Sequence, residues 1–340
     1  MNKKCFFTAI ANSKELGLFI NYTLPSLLSK NNIPSISNKN NTEYLIWTSD
    51  DYVDTLSKSN GIAQLCNYLN VNIKGVSRYF FMGKESLVTS ALYRGMLENS
   101  QKENFGVFSI QPDVIWADGT ILKIDKKANE GIRVILAGSI LTRSKHVLDT
   151  LKTSDNHAGE ILSVPPRKLV QILLDDEHPI TSSQIIDNRN FSTWPNSIYW
   201  PLGDQGYLMR TTELHPLYVH PKNYVTNFKK SFADDFLKMA VPEEEDYYIA
   251  NNSDEIFLVR TDFGESSKGI PDRINIANET FFGLWLNNYC TARDRDNLKH
   301  HIWLHKGINI ADWRSSINHS NIFIQKSISF SKAFEKQTTT

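Results

Sequence analysis

The sequence predicts an α/β fold: a mostly parallel open sheet with helices on both faces, completed by an irregular α+β second half. Three observations carry this expectation. Strand-like and helix-like runs alternate over about the first 140 residues. The alternation stops near residue 150, where an aromatic, turn-rich stretch takes over. No composition break marks a linker between the two parts. Residues 1–150 are therefore expected to form a ligand-binding α/β core, and 151–330 to complete the same domain and end in a helical region.

The elements follow in order. "CFFTAI" (5–10) is an apolar strand, and 14–30 has apolar residues at helical spacing with Ser13 available as N-cap. Pro25 inside that helix predicts a kink or a late break. "EYLIWTS" (43–49) is a strand running into Asp50-Asp51, which open a short helix. Residues 62–69 read as a helix, 71–77 as a strand, and 84–103 as a long helix with one apolar face. "FGVFSIQP" is a strand, 118–130 a helix and 132–138 a strand. Prolines bracket a helix at 165–179. Residues 191–223 read as short strands and loops, 254–263 as a strand, and 278–307 as one or two helices. The tail "FEKQTTT" reads as frayed.

Bulk composition removes several function classes. Lys+Arg and Asp+Glu both number 37, so there is no net charge to gather nucleic acid. Three widely spaced cysteines offer neither a disulfide framework nor a CxxC zinc site, which favours a reducing, cytoplasmic setting. The short apolar run at the N-terminus reads as a first strand rather than a signal peptide. No segment approaches the ~18 apolar residues of a membrane span, which leaves peripheral association open. The sequence lacks GxxxxGK[ST], a GxGxxG after the first strand, and GxSxG. These absences disfavour P-loop hydrolysis, dinucleotide chemistry and an α/β-hydrolase.

Four constellations carry candidate chemistry. Asp113 and Asp118 follow a buried strand, where hard oxygen ligands could hold Mg²⁺ or Mn²⁺ and through it a diphosphate. A turn at Asp118-Gly119 and a helix cap at Asp113 explain the same residues without a ligand. His215 and His220 each precede a proline and fall on opposite faces of an extended strand, so they do not form one metal site. Glu213 shares the face of His215. Asp234-Asp235 and Asp254-Glu255 are candidate bases or ligands, whereas 243–246 reads as a solvated turn. His301 and His305 fall on one face if the segment is helical, although a basic helix end explains them better.

The first half resembles bacterial glycosyltransferases of the GT-A type, in a group that handles cell-surface sugars. "FINYTLPSLLSKNNIPSI…EYLIWTSDD", "FSIQPDVIWADGTILKI", "GIRVILAG" and "LHPLYVHP…FADDFL" carry the resemblance. That family bears two aspartates two positions apart; here Gln111-Pro112-Asp113 leaves Asp113 as the one matching acid. The resemblance implies a nucleotide-sugar donor and a glycan acceptor, with Asp113 at the diphosphate or at a metal whose necessity is in doubt. It implies a nucleoside pocket at Ala11, Asn12, Thr48 and Asp50, and Arg94, Arg143 or a histidine as cations on the diphosphate. His215 and Asp235 are the catalytic candidates, with Asp235 preferred as base, and Trp194, Tyr199 and Trp200 could stack on an acceptor sugar. Two other classes remain: a non-catalytic sugar- or nucleotide-binding protein of the same fold, and an α/β nucleotidyl- or phosphotransferase.

Overall fold

The computed structural model describes residues 3–36, 40–77, 84–143, 147, 149–151, 157–158, 161–223, 225, 232–262, 269–307 and 310–338. The described strands, in chain order, are β1 (Lys4–Ile10), β2 (Thr42–Ser49), β3 (Asn70–Val76), β4 (Gly106–Ser109), β5 (Val114–Trp116), β6 (Val134–Ala137), β7 (Ile140–Arg143) and β8 (His157–Ala158). There follow β9 (Ile161–Leu162), β10 (Ser197–Pro201), β11 (Gly206–Thr211), β12 (His215–Val219), β13 (Tyr247–Ala250), β14 (Leu258–Asp262) and β15 (Ile302–His305).

The fold is mixed α/β around a seven-stranded sheet of order β13-β6-β12-β4-β1-β2-β3. β1 pairs in parallel with both β2 and β4, and β6 in parallel with β13. Only β12 runs against its two neighbours, β4 and β6. All seven residues of β1 are buried because both faces of the sheet are covered. Phe6 and Ile10 face one layer, with Leu16, Phe19, Leu27, Ile62 and Ile124 from helices on that side. Cys5, Phe7 and Ala9 face the other, against Met96 and Leu97 of the helix Glu85–Glu103 and Phe236 of the helix Phe232–Ala240. Phe6 stacks on Phe108 of β4 with ring centroids 4.5 Å apart. Each such buried aromatic contributes about 1.5–3 kcal/mol through removal from water.

Several local expectations need correction. Asn12, not Ser13, caps the first helix: its Oδ1 accepts from the Glu15 N–H at 2.9 Å, and Ser13 is the first helical residue. The interruption expected around Pro25 is present, by contrast, since the helix ends two residues later at Leu27. A π-helical turn, Phe19–Thr23, lies just before the proline, and the chain resumes as Leu24–Leu27. Proline removes one donor, and the wide turn shifts the ladder so that the Leu24 N–H reaches Phe19 O. The strand expected at "FGVFSIQP" is followed by a second, β5, which pairs with β14 in another sheet. The segment 278–307 is two helices, Glu279–Tyr289 and Ala292–Asn297, and then a strand. A capping box at Thr291 and Asp294 restarts the second helix, and "IWLH" then alternates as a strand of the antiparallel sheet β10-β11-β15. The tail "FEKQTTT" is not frayed along its length, since the last helix, Ile310–Thr338, runs almost to the end.

Arg210 of β11 joins three of these parts. Its guanidinium donates to the carbonyls of Leu298 and Lys299 at 3.0 and 2.9 Å, capping the helix Ala292–Asn297 electrostatically. It also donates to Ser320 Oγ at 3.1 Å and to Asn321 on the last helix. Burial without a carboxylate pulls its pKa down to about 10.

Candidate functional site

The order of the central sheet fixes where a ligand can lie. From β1 the chain adds β2 and β3 on one side, then returns through the helix Glu85–Glu103 to add β4 on the other. Loops therefore part at the carboxyl ends of β1 and β4, the switch point at which open α/β sheets hold ligands. A cavity of about 250 Å³ lies there, lined among others by Ala9, Tyr93, Ser109, Gln111, Pro112 and His215.

His215 belongs to this edge because β12 is reversed. Its first residue sits opposite Ala137, the last of β6, and so at the carboxyl ends of the parallel strands. The imidazole lines the switch-point cavity and two others, of about 260 and 230 Å³. Among the described residues no hydrogen bond holds either of its ring nitrogens. Burial lowers its pKa, Arg260 lowers it further, and Glu213 and Asp113 oppose the shift. The ring is therefore neutral at pH 7 and able both to donate and to accept.

Asp113 lies between β4 and β5. Its carboxylate accepts from Arg260 Nη2 at 3.1 Å and Nε at 3.3 Å. Its carbonyl takes the Thr261 N–H at 2.8 Å, which ties the loop to β14. Arg260 also lines the third cavity together with Glu213 and His215. Glu15 closes the turn after β1 by accepting the Ala11 N–H at 2.7 Å, and burial raises its pKa. Among the described residues no group of three or more His, Cys, Asp or Glu side chains could hold a metal ion. Asp113 offers a single carboxylate already met by a guanidinium. That donor set does not fit Mn²⁺ or Mg²⁺.

The other expected residues divide. Ala11, Asn12, Thr48 and Asp50 come together at the carboxyl ends of β1 and β2, where Ile10 pairs with Thr48, but none lines the three cavities. Asn12 is committed as a cap, and the Thr48 hydroxyl donates to Ile10 O at 3.2 Å. Arg94 pairs with Glu98 at 2.9 Å and Arg143 with Asp176 at 3.0 Å, and neither lines those cavities. Asp235 is in the helix Phe232–Ala240, with its side chain outside the described residues, as is that of Asp234.

Asp118 is structural. It accepts from the Asn31 N–H at 3.0 Å and from Asn31 Nδ2 at 2.7 Å, and Gly119 beside it takes φ 88°, a conformation that favours glycine. His220 Nε2 meets Asn104 Oδ1 at 3.0 Å, and His305 Nε2 meets Asn252 Oδ1 at 3.1 Å. Asp254 grips Arg167 through two nitrogens. Tyr199 and Trp200 are core residues, 2% and 1% exposed, and so give no platform for a sugar. Trp194 is 41% exposed and lines two cavities with Glu213.

Sequence reasoning missed Arg260, Tyr289 and Trp285. Arg260 sits in an ordinary strand pattern, and only pairing of β14 with β5 brings it to Asp113. Tyr289 is 60% exposed at the end of the helix Glu279–Tyr289, and no pattern in its sequence neighbours marks it. Its ring centroid lies 4.7 Å from that of Trp194, and Trp285 meets Trp194 edge-on at 5.6 Å.

Among the described residues no helix is long and apolar enough to cross a membrane. No protein-family model and no curated protein matches the sequence. Among solved structures, similarity extends to TarS of Staphylococcus aureus, at 14% identity and TM-score 0.27 over 41% of this chain and 22% of that one. A 1–349 form of TarS gives 12% identity and TM-score 0.28 over 51% and 63% of the two chains. A Bacillus anthracis protein assigned as a glucose-1-phosphate thymidylyltransferase, solved with sucrose, gives 12% and 0.26 over 43% and 58%. The matches span less than two thirds of each of these chains. At such TM-scores the likeness carries no argument about activity.

Proposed function

We propose that the protein is a nucleotide-sugar-dependent transferase: a glycosyltransferase moving a sugar from a nucleotide-sugar to a glycan acceptor, in cell-surface polysaccharide synthesis. One observation carries the reading. The switch-point cavity between β1 and β4 opens onto a neutral histidine that two further cavities also reach. A donor in the first cavity and an acceptor in another would meet at His215. The quoted sequence patches resembling GT-A glycosyltransferases favour the same chemistry.

In this reading Ala11, Asn12, Thr48 and Asp50 frame the nucleoside at the ends of β1 and β2. The pair Asp113–Arg260 faces the diphosphate and the donor sugar. Arg260 supplies the cation there, and Arg94 and Arg143, engaged elsewhere, play a lesser part. His215 donates a hydrogen bond to the leaving phosphate as charge builds on it.

A thermal-shift screen against UDP-, GDP-, CMP- and TDP-linked sugars tests the proposal. A ligand at ~100 times its dissociation constant adds about 2.7 kcal/mol to apparent stability. We expect one nucleotide class to raise the melting temperature and His215→Ala to leave that shift largely in place. No shift with any of the four would remove the transferase reading. The engagement of Asp113 by Arg260 favours a second reading, a binding protein of the same fold without catalysis. Donor hydrolysis measured with and without Mn²⁺ separates the two.

A further inference from the structure

Three cavities share one corner of the molecule, and the carboxylates lining them are few. The switch-point cavity has none among its lining residues. The cavity bounded by Trp194, Trp285 and Tyr289 has Glu213 and Asp294, and the third has Glu213 alone. Asp294 is committed, since its Oδ2 accepts the Thr291 N–H at 2.7 Å in the capping box. Glu213 is not. No hydrogen bond or ion pair among the described residues claims its carboxylate, and the residue is exposed.

The backbone around Glu213 is nevertheless held firmly. Its N–H donates to Thr211 Oγ1 at 3.0 Å, and that hydroxyl is in turn fixed by Ser197 Oγ at 2.9 Å. Thr212 beside it donates to Asn196 O at 3.0 Å and accepts from Asn297 Nδ2 at 2.9 Å. A positioned backbone with an uncommitted carboxylate two residues before His215 is what proton abstraction needs. The aromatic wall adds a reason for a sugar. Trp194 and Tyr289 present exposed rings inclined at 52°, and Trp285, stacked on Phe282 at 5.8 Å, backs them from the core. Such rigid rings match the apolar C–H face of a sugar.

Building on the transferase reading, we infer that Glu213 is the general base and that Trp194 and Tyr289 form the platform for the glycan acceptor. An acceptor hydroxyl gives its proton to the Glu213 carboxylate as its oxygen bonds to the donor's anomeric carbon. The bond from that carbon to the phosphate oxygen breaks, and the nucleotide leaves with the electron pair. The displacement is single and inverts the anomeric centre. Without a glycan, water takes the hydroxyl's place and the donor is hydrolysed.

The experiment uses the full chain with UDP-glucose, GDP-mannose, TDP-rhamnose and CMP-sialic acid. Donor binding is read by thermal shift and released nucleotide by turnover in water. Glu213→Gln is expected to keep the wild-type shift and to lower turnover by about 100-fold. Trp194→Ala is expected to keep the donor shift and to lose the extra turnover that a pool of bacterial oligosaccharides gives the wild type. Turnover at the wild-type rate in Glu213→Gln overturns the base. Loss of the donor shift in that variant overturns it too, because Glu213 would then hold donor or fold. A wild type that binds donor yet releases no nucleotide, with water or with the oligosaccharides, overturns the inference while the binding-protein reading stands. A wild type that binds none of the four removes both readings together.

Discussion

His220 packs behind β12 with 7% of its surface exposed, and burial there pushes its pKa down to about 4, with Arg133 adding to the effect. In the unfolded chain the same ring titrates near 6.5. Between these values the unfolded state binds a proton that the folded state refuses, so stability falls as the pH falls through this window. The contribution is present in full above about pH 6.5 and is on the order of 3 kcal/mol. His301, pushed down to about 4 by burial and by Arg210, acts in the same direction. Melting curves from pH 7 to pH 4 should show this decline, and His220→Gln should flatten part of it; an unchanged slope in the variant would exclude His220 as its source. At this scale sequence and structure part company for a plain reason. Asp113 and Asp118 look equivalent in the sequence, yet one meets Arg260, 147 positions away, and the other meets Asn31, 87 positions away. Burial and long-range partners decide what a side chain does, and neither is written in its neighbours. Glu213 and His215 were read together as neighbours on one strand face, but Glu213 lies in the turn between β11 and β12, and the two meet only as lining of the same cavities.

Within elements, glycines test the packing. Gly206 opens β11 at φ 143°, and a Cβ there would lie 1.9 Å from the Leu304 carbonyl oxygen of β15. Gly206→Ala should therefore cost about 3 kcal/mol or more, seen as a lower urea midpoint. Gly95, inside the helix Glu85–Glu103, has nothing within 4 Å of such a Cβ, so Gly95→Ala should raise stability by about 0.5–1 kcal/mol. Asn12→Ala removes the cap of the first helix and should cost about 1 kcal/mol in the same titration. The early strands and helices were legible because each is long, or has one strong apolar period. β5 was not, because three buried residues carry no period. β15 was not, because "IWLH" follows two helices without proline or glycine to mark the change. The aromatic stretch was read as strands correctly, but its pairing with a strand about 100 residues later is a tertiary fact.

At the scale of the molecule the central sheet is assembled from distant parts of the chain. β6 finds both its neighbours, β12 and β13, in the second half. A fragment ending at residue 150 thus leaves β4 short of one neighbour and β6 without any. Such a fragment should show no cooperative thermal transition, whereas the full chain should show one; a sharp transition in the fragment would mean that the early strands suffice. The site inherits the same dependence, since the switch-point cavity is closed on one side by His215 and Pro216 from β12. The reversed strand also sets a timetable for biosynthesis. β6 leaves the ribosome early, while its second partner, β13, is more than a hundred residues behind. At 5–20 residues per second that wait is on the order of ten seconds. Through it the apolar run Val134–Ala137 has neither of its strand edges paired, which leaves this short stretch open to association with other chains.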